Sequence, residues 1–387
     1  MKIAHINMFY LPTFGGVEQV MYELAQRQVK DGHEVHVFCC NSDKYKRIEK
    51  QEETLEGVKI HRLSYRARLS YNTFIWPSLL WRIKEKFDIV HTHVSGHDYI
   101  LFAGLLSKLK GFKHIHTTHC PWTDTSFRPP ILRPFLMIND LFMNKLAFNF
   151  VDKVIPITPW ESDKLDKFIS NKNKITVIPN GTDKLLFKKV ENNEYKKKNG
   201  IKEKYMVLFF GRLNPTKAPQ NLAKAAINIT KKRKDIAFVW VGPDEGMMDE
   251  VKKLTGPYPN MHVMGGIRGK ENIAEMYQSA DMYVLPSYRE GLPLTLFEAM
   301  ASGLPIVASP VNGIPYEMKE PENGFFTPYG DINAIENRII QLIEDPKLAK
   351  EISENNFKKS LDYDWDIIHR RYMDEYEKLL KNKVLVH

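Results

Sequence analysis

Glu290 and Glu298 flank the sequence GLPLTLF within residues 286–303, PSYREGLPLTLFEAMASG. Pro293 suits the first turn of a helix and Gly303 its stop. Gly291, Leu292, Pro293 and Leu294 then bring the loop into the helix start, where the free N–H groups near Leu292 to Thr295 make an anion site with the helix dipole behind them. Glu290 precedes the helix, and Glu298 lies about one turn beyond Leu294. Carboxylates accept hydrogen bonds from vicinal hydroxyls. An anion at a helix start with a carboxylate on either side therefore suits a sugar joined to phosphate. The plainer alternative makes Glu290 a loop-surface residue and Glu298 a solvated helix charge. Its neighbours Phe297, Ala299 and Met300 argue against solvation all round.

Two other loops have related chemistry. FFGRLNPTKAPQNL carries Gly211, the planar fork of Arg212, and Lys217 five residues on. Two cations beside a glycine fit a diphosphate, with a pair of exposed cations as the alternative. LPTFGGVE carries Gly15 and Gly16, which let a backbone approach phosphate or simply make a tight turn. It is not G-x-G-x-x-G, and no acidic residue closes a ribose site about 20 residues on, so a dinucleotide cofactor is not expected.

The elements that position these loops alternate. Strands are expected at 3–9, 34–40, 88–94, 114–118, 153–158 and 174–178, and a helix over 17–30 ending at Asp31-Gly32. After the Pro179-Asn180-Gly181 turn, a lysine-rich stretch to about residue 204 reads as a linker. The rhythm then restarts with strands at 205–210, 237–241, 262–267, 282–286 and 305–309, and helices follow from 331. Two doubly wound parallel α/β domains in series are expected, with a ligand at the carboxyl ends of the strands, between the domains.

At this point the sequence resembles glycosyltransferase family 4, a retaining family of GT-B fold. The resemblance rests on Glu290-x7-Glu298, FFGRLNPTK, VIPNGTD and FGGVEQVMYELAQRQVKDGHEV, in the family's order, and spans about residues 1–326. It implies two Rossmann-like domains facing across a cleft: an acceptor domain (1–182, completed by a crossing helix at 365–387) and a nucleotide-sugar donor domain (183–364). It implies that Glu290 holds donor-sugar hydroxyls and Glu298 the ribose. Arg212 and Lys217 neutralise the diphosphate, and N–H groups near Leu292 to Leu294 and Gly16 contact it. His119, in HTTHC, lies beside the donor sugar, and the backbone at Ile267 meets the base. The expected reaction is transfer of a hexose (glucose, mannose or N-acetylhexosamine type) from a UDP- or GDP-sugar to a hydroxyl of a glycan or lipid-linked acceptor, with retention. A GT-B epimerase and a non-catalytic nucleotide-sugar-binding relative are the competing readings.

Other signals are discounted or narrower. His91 and His93 share a strand face, where cleft-lining or core histidines are expected rather than zinc. Asp362-Tyr363-Asp364-Trp365-Asp366 contains Asp-x-Asp twice, but it lies in a helical tail after no strand. Trp365 reads as packing, and no metal or cofactor is expected. Cys39, Cys40 and Cys120 give no disulfide framework, so reduced thiols in a cytoplasmic protein are expected. The opening residues read as a strand rather than a secretory signal. The net charge of +9 comes without a nucleic-acid module, so nucleic acid is not expected as a partner. Together with the apolar, basic stretch 126–150, the charge fits peripheral association with the cytoplasmic face of a membrane.

Overall fold

A computed structural model of the chain describes residues 1–13, 15–43, 46–70, 73–75, 78–120, 131, 133–187 and 193–384. Residues 126–130 and 132 of the apolar, basic stretch lie outside the described residues, as do the last three of the expected tail helix. The chain divides into two compact units, Met1–Pro179 with Asp366–His387, and Asn180–Trp365.

The first unit opens β1 (Lys2–Ile6), α1 (Gly16–Lys30), β2 (Glu34–Cys40), β3 (Glu52–Leu55) and β4 (Val58–Leu63). A small hairpin, β5 (Ala67–Ser70) and β6 (Thr73–Ile75), leads to α2 (Leu79–Arg82) and β7 (Ile89–His93). Then come α3 (Asp98–Lys110), β8 (Lys113–Thr117), α4 (Arg133–Asn149), β9 (Lys153–Ile155) and α5 (Ser162–Leu165). The sheet runs β3-β4-β2-β1-β7-β8-β9, parallel except for the edge strand β3. β1, β7 and β8 are buried almost throughout, as strands covered on both faces must be. α1 is a 3.6-period helix that buries Val20, Met21, Leu24, Ala25 and Gln28. It stops at Asp31, with Gly32 at φ +82°.

The second unit begins with α6 (Glu194–Lys198) and β10 (Tyr205–Phe210), α7 (Pro219–Lys232), β11 (Ile236–Val241), α8 (Met248–Thr255) and β12 (Met261–Met264). It continues with α9 (Lys270–Gln278), β13 (Met282–Leu285), α10 (Leu294–Ala301), β14 (Ile306–Ala308), α11 (Ile314–Glu317) and β15 (Gly324–Phe326). It closes with α12 (Ile332–Glu344) and α13 (Pro346–Ser360). The sheet is all parallel, in the order β12-β11-β10-β13-β14-β15. Its core sets Val207, Phe209, Phe238 and Trp240 against the apolar face of α7, with Leu222, Ala226 and Ile229.

Finally α14 (Trp365–Val384) carries the chain back into the first unit. Asp366 bonds Arg27 at 2.7 Å, His369 bonds Asp31 at 2.7 Å, and Glu375 meets Lys153 at 2.9 Å. The acidic run before it is structural. Trp365 is fully buried, and a Cβ added at Gly181 would meet its ring at 2.5 Å. That packing, with Thr182 bridged to Asp364, moves the unit boundaries to 179/180 and 365/366, against the expected 182/183 and 364/365.

Several expectations need correction. No strand forms over 174–178: Thr176 and Ile178 donate to Val154 and Pro156 carbonyls, but Pro156 has no N–H to return, so only a single Ile175–Val154 bridge is made. The strand expected to 267 ends at Met264, because Gly265-Gly266 follows and leaves Ile267 in a loop. The strand expected over 153–158 ends at Ile155, again before Pro156. Pro293 is the residue capping α10 and not its first turn. The described parts of the stretch, 180–187 and 193–204, are no linker but belong to the second unit. Tyr195 is buried in it, and Lys198 pairs with Glu275 at 2.8 Å. The polar edge strand β3 and the three-residue β15 carried too little apolar pattern to be read.

Candidate active site

In the second unit the strand order reverses at β10, which has β11 on one side and β13 on the other. The crevice outside the carboxyl ends of such strands is where open α/β sheets take ligands. Both chemistry-bearing loops of this unit leave from that point: 211–218 after β10 and 286–293 after β13.

Lys217 Nζ, on a half-buried side chain, lies 2.6 Å from Oε1 of the buried Glu290. Ser287 Oγ donates to the same oxygen at 2.6 Å. The loops are also tied through the backbone, since Tyr288 N donates to Thr216 O at 2.8 Å. Arg212 instead faces solvent and bonds Glu245 at 3.0 Å. Asn214 organises the first loop, accepting from Lys217 N at 3.0 Å and donating to Glu245 at 3.0 Å. The glycine after β11 is a packing requirement. A Cβ on Gly242, at φ +152°, would meet Gly211 O at 1.8 Å.

Three successive carbonyls before α10 are held from within the unit. Asn312 donates its amide to Glu290 O, Gly313 N donates to Gly291 O at 3.2 Å, and Asn180 donates its amide to Leu292 O at 2.7 Å. With its carbonyls tied, this loop is held rigid where it leads into the helix, which has no side-chain cap. Asn180 and Asn312 are supporting residues that sequence reasoning passed over. Asn180 stood in the Pro-Asn-Gly turn, and Asn312 precedes Gly313 in the left-handed region at φ +48°. One turn into α10, Glu298 is buried and accepts from Tyr277 Oη at 2.9 Å. Burial pushes its carboxyl up to about 7, opposed by the Tyr277 bond. Glu290 and Glu298 are thus both buried, and neither is the solvated surface charge of the plainer reading. At the ends of β11 and β12, a cavity of about 430 Å³ is lined by Val241, Met264, Gly265, Gly266, Ile267 and Asn272.

The first unit has its own reversal at β1, between β2 and β7. Gly15 caps α1 and Gly16 opens it. Gly15 is extended at φ −141°. Its missing Cβ leaves room for Glu18, whose Oε2 would stand 2.6 Å from it. His119 follows β8 and, with Cys120, sits in the left-handed region at φ +56° and +52°. Two such residues in succession cost on the order of 1–3 kcal/mol each, a strain that concentrates at functional sites. Glu161 holds this turn: wholly buried, it accepts from Cys120 N at 3.2 Å and Ile157 N at 3.0 Å. Nothing in its sequence neighbourhood marked Glu161 for that role.

His5, His91 and His93 bring ring nitrogens within 4.8 Å of one another. Every nitrogen of the three already carries a hydrogen bond: to His93 and Gln28, to Tyr376 and Thr117, and to His5 and His119 respectively. A metal there would have to displace them.

Two parallel α/β units, the second with a cation paired to a buried carboxylate beside a helix start at its switch point, define the GT-B class of glycosyltransferase. Comparison with known proteins agrees. The family described as Glycosyltransferase Family 4 matches residues 14–184, and Glycosyl transferases group 1 matches residues 191–359. The chain belongs to this family of glycosyltransferases and is an enzyme of that kind. It is 28% identical to an uncharacterized glycosyltransferase of Methanocaldococcus jannaschii, over 99% of both chains. It is 27% identical to the UDP-Gal:α-D-GlcNAc-diphosphoundecaprenol α-1,3-galactosyltransferase of Escherichia coli, over 99% of this chain and 98% of that one. Among solved structures, sucrose-phosphate synthase from Thermosynechococcus elongatus superposes with a TM-score of 0.78 at 23% identity, over 98% of this chain and 99% of that one, a likeness of fold.

Proposed function

We propose that this enzyme transfers a hexose, with retention, from a UDP-sugar to a hydroxyl of a lipid-linked glycan at the cytoplasmic face of a membrane. A GDP-sugar is the alternative donor. The observation that carries the reading is the Lys217–Glu290 pair at 2.6 Å, with the carboxylate buried, in the loop leading to the N–H groups opening α10. In this reading the diphosphate lies against those N–H groups. Lys217 and Arg212 meet its charge, Glu298 takes the ribose hydroxyls and the base enters the 430 Å³ cavity at Ile267. Glu290 meets the donor sugar, and His119, in the first unit, is assigned a sugar hydroxyl by the family resemblance. The bond from the anomeric carbon to the diphosphate breaks as the acceptor oxygen attacks the same face, and the leaving phosphate oxygen takes the acceptor's proton. Fixed donors aimed at the leaving group's growing charge supply the main stabilisation, without a metal or separate nucleophile. The UDP donor and lipid-linked acceptor are supported by the Escherichia coli relative, whose name states both.

Incubation with UDP-glucose, UDP-galactose, UDP-N-acetylhexosamines and GDP-mannose without acceptor is expected to release free nucleotide slowly from one UDP-hexose. An epimerised donor would sink the proposal in favour of an epimerase, and unchanged donors throughout would sink it in favour of a binding protein.

The membrane arm rests on the α3–α4 face. α3 packs against α4, and both leave large apolar side chains in water: Leu105 and Leu109 one turn apart on α3, Leu141 and Phe142 on α4. The exposed Lys108 and Lys145 on these helices add positive charge. Among the described residues no helix is long and apolar enough to cross a membrane. Flotation with vesicles containing anionic lipid is expected to carry the protein up. Leu109→Glu with Phe142→Glu is expected to abolish that while leaving nucleotide release unchanged. Failure of the unaltered protein to float with such vesicles would remove this arm.

A further inference from the structure

His119 ends a hydrogen-bonded line of imidazoles that runs back into the sheet. His5 on β1 and His93 on β7 are fully buried, while His119 is half-buried. His5 Nε2 lies 2.8 Å from Gln28 Oε1, on α1. His5 Nδ1 lies 3.0 Å from His93 Nε2, and His93 Nδ1 lies 3.0 Å from His119 Nε2. His91, whose ring centre is 4.1 Å from that of His93, gives its nitrogens to Tyr376 Oη and Thr117 Oγ1, both at 2.7 Å, and adds no branch to the line.

The direction of this line follows from elementary chemistry. Desolvation lowers the pKa of all three rings, to about 4 for His5 and about 3 for His119, so each is neutral near pH 7. A neutral imidazole has one N–H and one lone pair. The Gln28 carbonyl oxygen can only accept, so His5 carries its proton on Nε2. His5 Nδ1 is then a lone pair, and His93 Nε2–H must donate to it. His93 Nδ1 is left bare in turn and accepts from His119 Nε2–H. The proton positions of three rings are thereby set from one end, and His119 keeps an unprotonated Nδ1.

We propose that Gln28, acting through His5 and His93, fixes the tautomer of His119 so that its Nδ1 meets the donor sugar as a hydrogen-bond acceptor for a hydroxyl. This rests on the reading that His119 faces the sugar, and it narrows that reading. A hydroxyl at that position is taken, whereas a carbonyl or carboxylate there would set one acceptor against another and leave a desolvated lone pair unmatched. Gln28, His5 and His93 are positioning residues in this scheme.

The test is ¹⁵N NMR of the full chain labelled at histidine, with His119 assigned by comparison with His119→Ala. In the unaltered protein His119 is expected to show a pyridine-type Nδ1 and a pyrrole-type Nε2, and the reverse pattern overturns the proposal. Gln28→Leu removes the accepting oxygen at similar volume and is expected to move His119 to a mixture of both tautomers. An unchanged His119 pattern in a folded Gln28→Leu protein overturns the relay. Adding the UDP-hexose that the enzyme hydrolyses is expected to shift the Nδ1 resonance upfield, as accepting a proton from a hydroxyl does. No shift overturns the contact with sugar while leaving the relay standing. Failure of nucleotide release, by contrast, leaves the tautomer result untouched, so the two readings fail separately.

Discussion

Glu290→Gln is expected to lower turnover by about 100- to 1000-fold while the affinity for the donor changes by less than about threefold. The amide keeps the side-chain volume and can still accept from Ser287, so the loop between β13 and α10 retains its shape. What is lost is the negative charge 2.6 Å from Lys217. In the ground state this loss is nearly neutral, because Lys217, released from its partner, is drawn more fully to the diphosphate. At the transition state it is costly. Positive charge develops on the sugar ring as the anomeric bond breaks, and a carboxylate bonded to the ring hydroxyls stabilises that charge where an amide does not. Steady-state kinetics with separately measured donor affinity checks the split. A variant with normal turnover and weakened donor binding would show Glu290 to be an ordinary binding residue.

Glu298→Gln has opposite effects on binding and stability. A carboxylate can accept from both ribose hydroxyls, whereas an amide offers one accepting oxygen. The loss of about 2 kcal/mol corresponds to a roughly 30-fold weaker affinity for nucleotide at pH 8. The unliganded protein is expected to become more stable. Burial raises the Glu298 carboxyl to about 7, from 4.5 for the free group. The stability associated with its protonated form is fully present below about pH 4.5 and is lost as pH rises through 7. Glutamine has no such loss. The variant's advantage should therefore be absent near pH 4.5, grow to pH 7 and stay level above it, at no more than about 3 kcal/mol. Wild-type affinity for a UDP-hexose should rise over the same window as the carboxyl ionises, and the variant's should not. Denaturant unfolding and calorimetric titration at pH 5 and pH 8 read both effects. A variant no more stable than wild type at pH 8 would place the Glu298 proton elsewhere.

The alternating strands and helices, the two α/β units and the loops after β10 and β13 were legible because parallel strands buried on both faces read as unbroken apolar runs. Glycine, proline and charge punctuate their ends. The errors fall where that signal is weak. Pro156 stops a ladder without interrupting the apolar run that follows it. The polar 180–204 stretch looked like a linker because its attachments are scattered residues, among them Asn180, Asp183, Tyr195 and Lys198, rather than a periodic face. Glu161 could not be found from sequence at all. Its role depends on two backbone N–H groups, at Ile157 and Cys120, the latter 41 residues away in the chain.

The stretch from Glu290 to Glu298 shows the same division. By itself the sequence determined a helix start able to hold an anion, with one carboxylate before it and another one turn inside, since capping, dipole and helical spacing are all local. Only the tertiary structure decided what those carboxylates are. It joined Glu290 to Lys217, 73 positions earlier in the chain, and buried Glu298 against Tyr277 with a raised pKa. It also tied the intervening carbonyls to Asn180 and Asn312. Charge state and preorganisation depend on desolvation and on partners brought from distant positions, and only the closing of the chain around the site supplies them.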